Sequence, residues 1–276
     1  MDKDKFKLTN EEHEQIYKYI EEQTFLNKVC SEKPVAIILG GQPGAGKSFL
    51  IKEAKKDFLD KDIVVINGDE YRRWHPRSKE ILNSDEEKYA FYTDPDVREW
   101  TSNLFEKAIK NKYNIIFEGT MRTNRICDTI KRLKEEGFIV KIKVLAVHEI
   151  DSRISTIERY ESQLNYEGHG RKTPVDSHIN AYNGMINTLE DIEAERMFDT
   201  LEILTRKGEC VYSNDNVLKK VYSKYDSNIQ DTLVKSRNEQ KPPLVEVKER
   251  IEAISKYMLK NGESIIELEK ILKEYT

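Results

Sequence analysis

Cysteine is scarce in this 276-residue chain: Cys30, Cys127 and Cys210 are odd in number and far apart. They match neither a disulfide framework nor a zinc ligand set, so three buried, reduced thiols are expected. No apolar run reaches the ~18–20 residues of a membrane span. The opening Met1-Asp2-Lys3-Asp4-Lys5 leads into polar sequence without the apolar stretch of an export signal, which predicts a cytoplasmic protein with no membrane partner. A basic excess is also missing, since 46 Lys and Arg face 50 Asp and Glu for a net charge of −4. That argues against a protein whose main work is to coat nucleic acid by neutralising phosphates, and leaves room for a local basic pocket. There is no internal repeat and no low-complexity tract. With 38% hydrophobic and 35% charged residues, the chain can fill a core inside a well-solvated shell.

Short β-branched runs alternate with helical stretches. Val35-Ala36-Ile37-Ile38-Leu39 is apolar throughout and stops at Gly40-Gly41, as a strand buried on both faces does. Further strands are expected at 63–66, 115–117 and 140–147, with a last short pair at 201–204 and 211–212. Thr9 and Glu12 have capping-box spacing ahead of a helix at 10–23. Other helices are expected at 48–58, over most of 72–112, and at 150–166. The βαβ alternation predicts an α/β, three-layer fold with a mainly parallel sheet. Gly168 to Pro174 reads as a mobile basic loop, and the lid it belongs to spans about 160–175. Residues 1–227 form the expected main domain. Residues 228–276 form a helical extension packed on it, with two helices broken at Asn261-Gly262.

Gly41-Gln42-Pro43-Gly44-Ala45-Gly46-Lys47-Ser48 fits the phosphate-loop pattern G-x-x-x-x-G-K-[ST] at every fixed position. A chance match in a chain of this length is on the order of 1%, and the match follows a strand and opens a helix as the chemistry demands. Glycines let backbone amides and the positive helix end wrap around phosphate oxygens. Lys47 would hold the β- and γ-phosphates of ATP, and Ser48 would offer its hydroxyl to Mg²⁺. No Asn-Lys-x-Asp sequence reads guanine, which argues against a GTP switch.

A kinase also needs a carboxylate at the acceptor. Asn67-Gly68-Asp69 follows the second strand and sets Asp69 outside the carboxyl end of the sheet, beside the phosphate loop. Asp69 is either a general base, worth about 10²–10⁴-fold, or an Asx-type helix cap. Glu118 ends the third strand, where it either orients Mg²⁺ through water or binds a sugar hydroxyl. Arg122 either binds substrate phosphate or is a solvated surface group. Arg159 and Arg171 are cations suited to a migrating phosphoryl group, Arg171 from the glycine-bounded loop and Arg159 from a helix where surface ion pairs are common.

These motifs, in this order, resemble those of the bacterial zeta toxins: Gly40 to Ser48, Asn67-Gly68-Asp69 running on to His75-Pro76, Glu118-Gly119-Thr120-Met121-Arg122-Thr123, Ile157-Glu158-Arg159-Tyr160-Glu161, and Arg171-Lys172-Thr173-Pro174. The likeness covers about residues 33–180. It implies a phosphate-loop kinase that transfers the ATP γ-phosphate to the 3′-hydroxyl of the amino sugar of UDP-N-acetylglucosamine and so inhibits cell-wall synthesis. It further implies Asp69 as base, Lys47 as phosphate lysine, Arg159 and Arg171 on the ATP side, and Glu118, Thr120 and Arg122 in the sugar-nucleotide pocket. The partner implied is a small helical antitoxin in a two-plus-two assembly. The chain departs from the family pattern at two points. Asn67 stands where the family often has Asp, and a sugar-contacting Glu on the helix before the third strand is replaced at direct spacing by Ser102, with Glu99 and Glu106 nearby. A kinase of another hydroxyl acceptor and an ATP-dependent binding module without catalysis are the competing readings.

Overall fold

A computed structural model describes residues 3–56, 58 and 62–275. A seven-stranded sheet forms its centre, made of β1 (Val35–Gly40), β2 (Val64–Ile66), β3 (Ile115–Glu118), β4 (Ile139–Ala146), β5 (Thr200–Thr205), β6 (Cys210–Asp215) and β7 (Lys220–Ser223). The order is β2-β3-β1-β4-β5-β6-β7. Strands β1 to β5 run parallel, and β6 and β7 are added antiparallel at one edge. The α/β sheet is thus as the sequence led one to expect, with β7 an addition: its exposed side chains give no apolar alternation to read.

Successive residues of β1 feed different cores. Ala36 and Ile38 join one cluster and Ile37 and Leu39 the other, all essentially inaccessible to solvent. Burying each large aliphatic side chain contributes roughly 1.5–3 kcal/mol, which is why an unbroken apolar run becomes the central strand. Helix α1 (Asn10–Phe25), with its Thr9–Glu12 capping box formed, lies with α5 (Tyr89–Lys110) on the larger cluster. Helix α2 (Lys47–Lys56) covers the other face. It ends two residues short of the expected 58, and residue 57 lies outside the described residues.

The stretch 72–112 is helical in pieces: after the single turn α3 (Gly68–Tyr71) a 3₁₀ turn at 72–74 leads to α4 (Ser78–Asp85), and a second at 86–88 joins α4 to α5. Helix α6 (Arg125–Glu135) presents Cys127, Ile130 and Leu133 to the sheet at helical spacing. Helix α7 (Glu149–Glu167) ends at Gly168, whose φ of +73° suits glycine. The loop 168–174 then leads into α8 (Val175–Glu195). Beyond β7 come α9 (Ile229–Glu239), α10 (Leu244–Lys260) and α11 (Ile266–Tyr275). Val247, Ile251, Ile254 and Met258 of α10 pack with Leu268 and Ile271 of α11 onto Ile150, Ile154 and Ile157 of α7.

The thiols differ from expectation. Only Cys127 is buried; Cys30 is exposed and Cys210 half-buried, and all three are free. Cys30 sits in a single bridge to Tyr113 outside the sheet, so no core forms around it. Among the described residues no helix is long and apolar enough to cross a membrane.

Candidate active site

The carboxyl ends of β1, β2 and β3 open into a cleft of about 860 Å³. Lys47, Asn67, Asp69, Glu118, Thr120, Arg122 and Arg171 all line it. The topology corrects one detail of the sequence reading. Strand β3, not β2, neighbours β1, so Glu118 stands between the phosphate loop and Asp69.

The phosphate loop connects β1 to α2. Gly44 and Gly46 take φ of +77° and +93°, and a Cβ on Gly44 would lie 2.0 Å from the Ser152 carbonyl oxygen. Glycine is therefore required at Gly44 by both backbone angle and space. Lys47 Nζ donates to the Gly41 carbonyl at 2.9 Å and lies 3.7 Å from Glu118 Oε1. Burial lowers the Lys47 pKa, opposed by Glu118 and Asp69. Ser48 is exposed in the first turn of α2.

Asn67 settles which residue caps α3. Its Oδ1 accepts from the Asp69 amide at 3.0 Å, which leaves the Asp69 carboxylate free for other partners. The same side chain donates through Nδ2 to Glu118 Oε2 at 2.7 Å. An Asp at 67 could make the cap but not this second bond. Asp69 is half exposed to the cleft and receives Arg171 Nη1 at 2.8 Å and Arg72 Nε at 3.2 Å. Burial pushes the Asp69 carboxyl up, but the Arg171 and Arg72 guanidiniums outweigh it and hold the group well below the ordinary carboxylate range. Glu118 is displaced the other way, raised by burial against the pull of Lys47.

Arg159 and Arg171 part company. Arg171 reaches into the cleft, while Arg159 donates to Thr173 Oγ1 at 2.9 Å on the lid loop. Burial and the nearby Arg171 lower the Arg159 pKa, so the two cations share one field. Arg122 lies at the cleft edge and also borders a groove along α8.

From α5 the cleft takes Asp94, Val97, Arg98, Thr101, Ser102 and Phe105. Glu99 faces His13 on α1 instead, and Glu106 binds Arg132. Two residues the sequence did not single out matter here. Arg72 holds Asp69, Thr93 and the Ala90 carbonyl; Arg206, just after β5, donates to the Gly44 carbonyl and to Asp151. Arg72 lay only three residues past Asp69, a helical spacing that could have signalled it. Nothing in the sequence links Arg206 to position 44, because that contact is made by the fold.

Among the described residues no group of three or more His, Cys, Asp and Glu could hold a metal ion by itself. The donor set fits a cation that arrives with a nucleotide and keeps water and phosphate ligands.

A model of the zeta toxin family matches residues 19–217. The toxin PezT of Streptococcus pneumoniae is 31% identical over 189 residues, which are 68% of this chain and 74% of the relative. A toxin zeta of Enterococcus hirae is 30% identical over 195 residues, 70% of this chain and 68% of the relative. Among solved structures, a chain from the PezAT chromosomal toxin-antitoxin system of Streptococcus pneumoniae superposes with a TM-score of 0.73 at 25% identity, over 94% of this chain and all of that one. The AvrRxo1-ORF1:AvrRxo1-ORF2 complex with ATP shares the fold, with a TM-score of 0.56 at 14% identity over 97% of this chain and 86% of that one.

Proposed function

This chain belongs to the zeta toxin family, and on that premise we propose that it is a cytoplasmic toxin kinase, passing the γ-phosphate of ATP to the 3′-hydroxyl of the amino sugar of UDP-N-acetylglucosamine. The observation that carries the reading is the convergence of Lys47, Asp69, Glu118 and Arg171 on one cleft at the strand ends. Backbone amides of residues 41–48 would cradle the phosphates, and Lys47 would draw charge from the β- and γ-oxygens as the bond breaks. Ser48 would hold Mg²⁺ together with phosphate and water, and the ion would neutralise charge on those oxygens. Asp69 would orient the attacking hydroxyl and take its proton. Its depressed pKa suits a loose transition state, in which the proton leaves late and positioning outweighs base strength. Arg159 and Arg171 would stabilise the migrating phosphoryl group from the lid side. Glu118, Thr120 and Arg122 would bind the sugar nucleotide. The kinase unit would span 1–227, with 228–276 as a helical extension on it. The PezAT likeness supports an antitoxin as partner; we read it as a small helical protein that would bind in a two-plus-two complex.

The test is incubation with ATP, Mg²⁺ and UDP-N-acetylglucosamine, read by mass spectrometry as a one-phosphate gain on the sugar nucleotide. The gain is expected with the native chain and abolished by Lys47→Ala. Ser102, rather than a glutamate, faces the cleft from α5, and this favours another hydroxyl acceptor as the second reading. ATP consumption with a nucleoside or an antibiotic alcohol, but not with the sugar nucleotide, would establish it. ATP binding without transfer to any acceptor would leave a binding module.

A further inference from the structure

Behind the phosphate loop runs a chain of fully buried polar side chains that the transfer chemistry does not use. Gln42, at zero exposure, donates both amide hydrogens, one to the Val147 carbonyl at 2.9 Å and one to Ser152 Oγ at 3.1 Å. Ser152 Oγ in turn lies 2.8 Å from His178 Nε2 and 2.9 Å from the Glu149 carbonyl. Ser152 is itself inaccessible and His178 nearly so.

Counting hydrogens fixes the directions. Burial, with Arg153, Arg237 and Lys47 nearby, lowers the His178 pKa to about 4, so the ring is neutral at neutral pH. His178 Nδ1 has no partner among the described residues. A buried N–H without an acceptor costs more than a bare acceptor nitrogen, so the ring proton belongs on Nε2. Nε2–H then donates to Ser152 Oγ, Gln42 donates to the same oxygen, and the Ser152 hydroxyl donates to the Glu149 carbonyl. Every hydrogen in the chain is used.

The connection has consequences because of what lies at each end. Ser152 also packs its carbonyl against Gly44, so the phosphate loop meets the first turns of α7 at two points, one through the Gln42 side chain and one through backbone contact. His178 is in the first turn of α8, and its amide donates to the carbonyl of Pro174, the last residue of the loop that carries Arg171. We propose that His178 is a positioning residue that holds the phosphate loop in its phosphate-gripping shape through Ser152 and Gln42, and thereby ties the nucleotide site to the helix on which the lid loop ends. This rests on the proposed binding of ATP at that loop.

The test is ATP affinity by calorimetry, which needs no acceptor. His178→Leu removes the donor while filling much of the same volume, and it is expected to weaken ATP binding about tenfold, the worth of one buried hydrogen bond. His178→Gln, which can return an amide N–H to Ser152, is expected to recover most of that loss, although both variants melt lower. Ser152→Ala is expected to cost a similar factor, and the double variant no more than the worse single, since both act through one chain. Unchanged affinity in His178→Leu, failure of Gln to rescue, or losses that multiply would each overturn the proposal. Should His178→Leu not fold, Ser152→Ala decides: native affinity refutes the chain. A native protein that binds no ATP would refute the kinase reading instead.

Discussion

The molecule handles carboxylates in two opposite ways within one lid's reach. In the cleft, Asp69 has two arginines and Glu118 has an amide donor and a lysine, so both are furnished with hydrogen-bond or charge partners. At the base of the lid, Glu161 is 4% exposed, and neither carboxylate oxygen has a hydrogen-bond partner among the described residues. The charged neighbours of Glu161 are acids, Glu86 before α5 and Glu263 between α10 and α11, opposed among the described residues by Lys172. A buried carboxylate survives ionised only where partners replace its water. Charge is therefore kept in the cleft, where phosphate chemistry is proposed, and disfavoured at Glu161.

The largest way to break the comparison is to remove the best-compensated charge. Asp69→Asn keeps size and cleft shape but loses the proton acceptor. Transfer is expected to fall about 10²–10⁴-fold, while ATP affinity stays near native. Single-turnover kinetics beside ATP titration would check this, and near-native turnover would remove Asp69 from the role of base. A smaller effect sharpens the same point. Asn67→Asp keeps the cap on the Asp69 amide but sets a second carboxylate 2.7 Å from Glu118. Like charges at that distance favour a shared proton and raise the apparent pKa of the pair. The acid limb of the pH–rate profile is then expected to move upward, with a loss of activity that grows toward acid pH and fades toward alkaline pH. A profile that superposes on the native one would mean the Asn67–Glu118 bond does not set the ionisation of Glu118.

Much of the cleft was legible because its chemistry is local in sequence. The phosphate loop, Asp69 and Glu118 each sit just after an apolar run, and a run of β-branched residues ending in a polar group is what a parallel strand and its functional edge look like. The strand order was not legible, since nothing between residues 40 and 118 says that β3 inserts beside β1. Asn67 looked like the loss of a carboxylate. Its double use, as cap and as Glu118 partner, needed the two strand ends side by side. Helix α8 escaped too, because its buried face carries His178, Thr188 and Ala181 among apolar residues and blurs the periodic signal. The acidic neighbours of Glu161 come from residues 86 and 263, so no window of sequence contains them.

That last cluster yields the smallest effect and the cleanest sign. The Glu161 pKa is raised by burial and by Glu263 and Glu86 to about 7, above its ordinary 4.5. A carboxyl whose folded pKa lies above its unfolded one stabilises the fold while protonated, and that stability is lost as pH rises between those two values. Glu161→Gln is neutral throughout and nearly the same size. Near pH 4.5 the variant and the native chain should melt together. By pH 8 the variant should be the more stable, by on the order of 2 kcal/mol, or a few degrees in Tm for a chain of this size. Melting curves across that range decide it. Two curves that stay parallel would mean Glu161 finds a partner or water that keeps it ionised, and the contrast between the compensated cleft and the uncompensated lid base would fall with it.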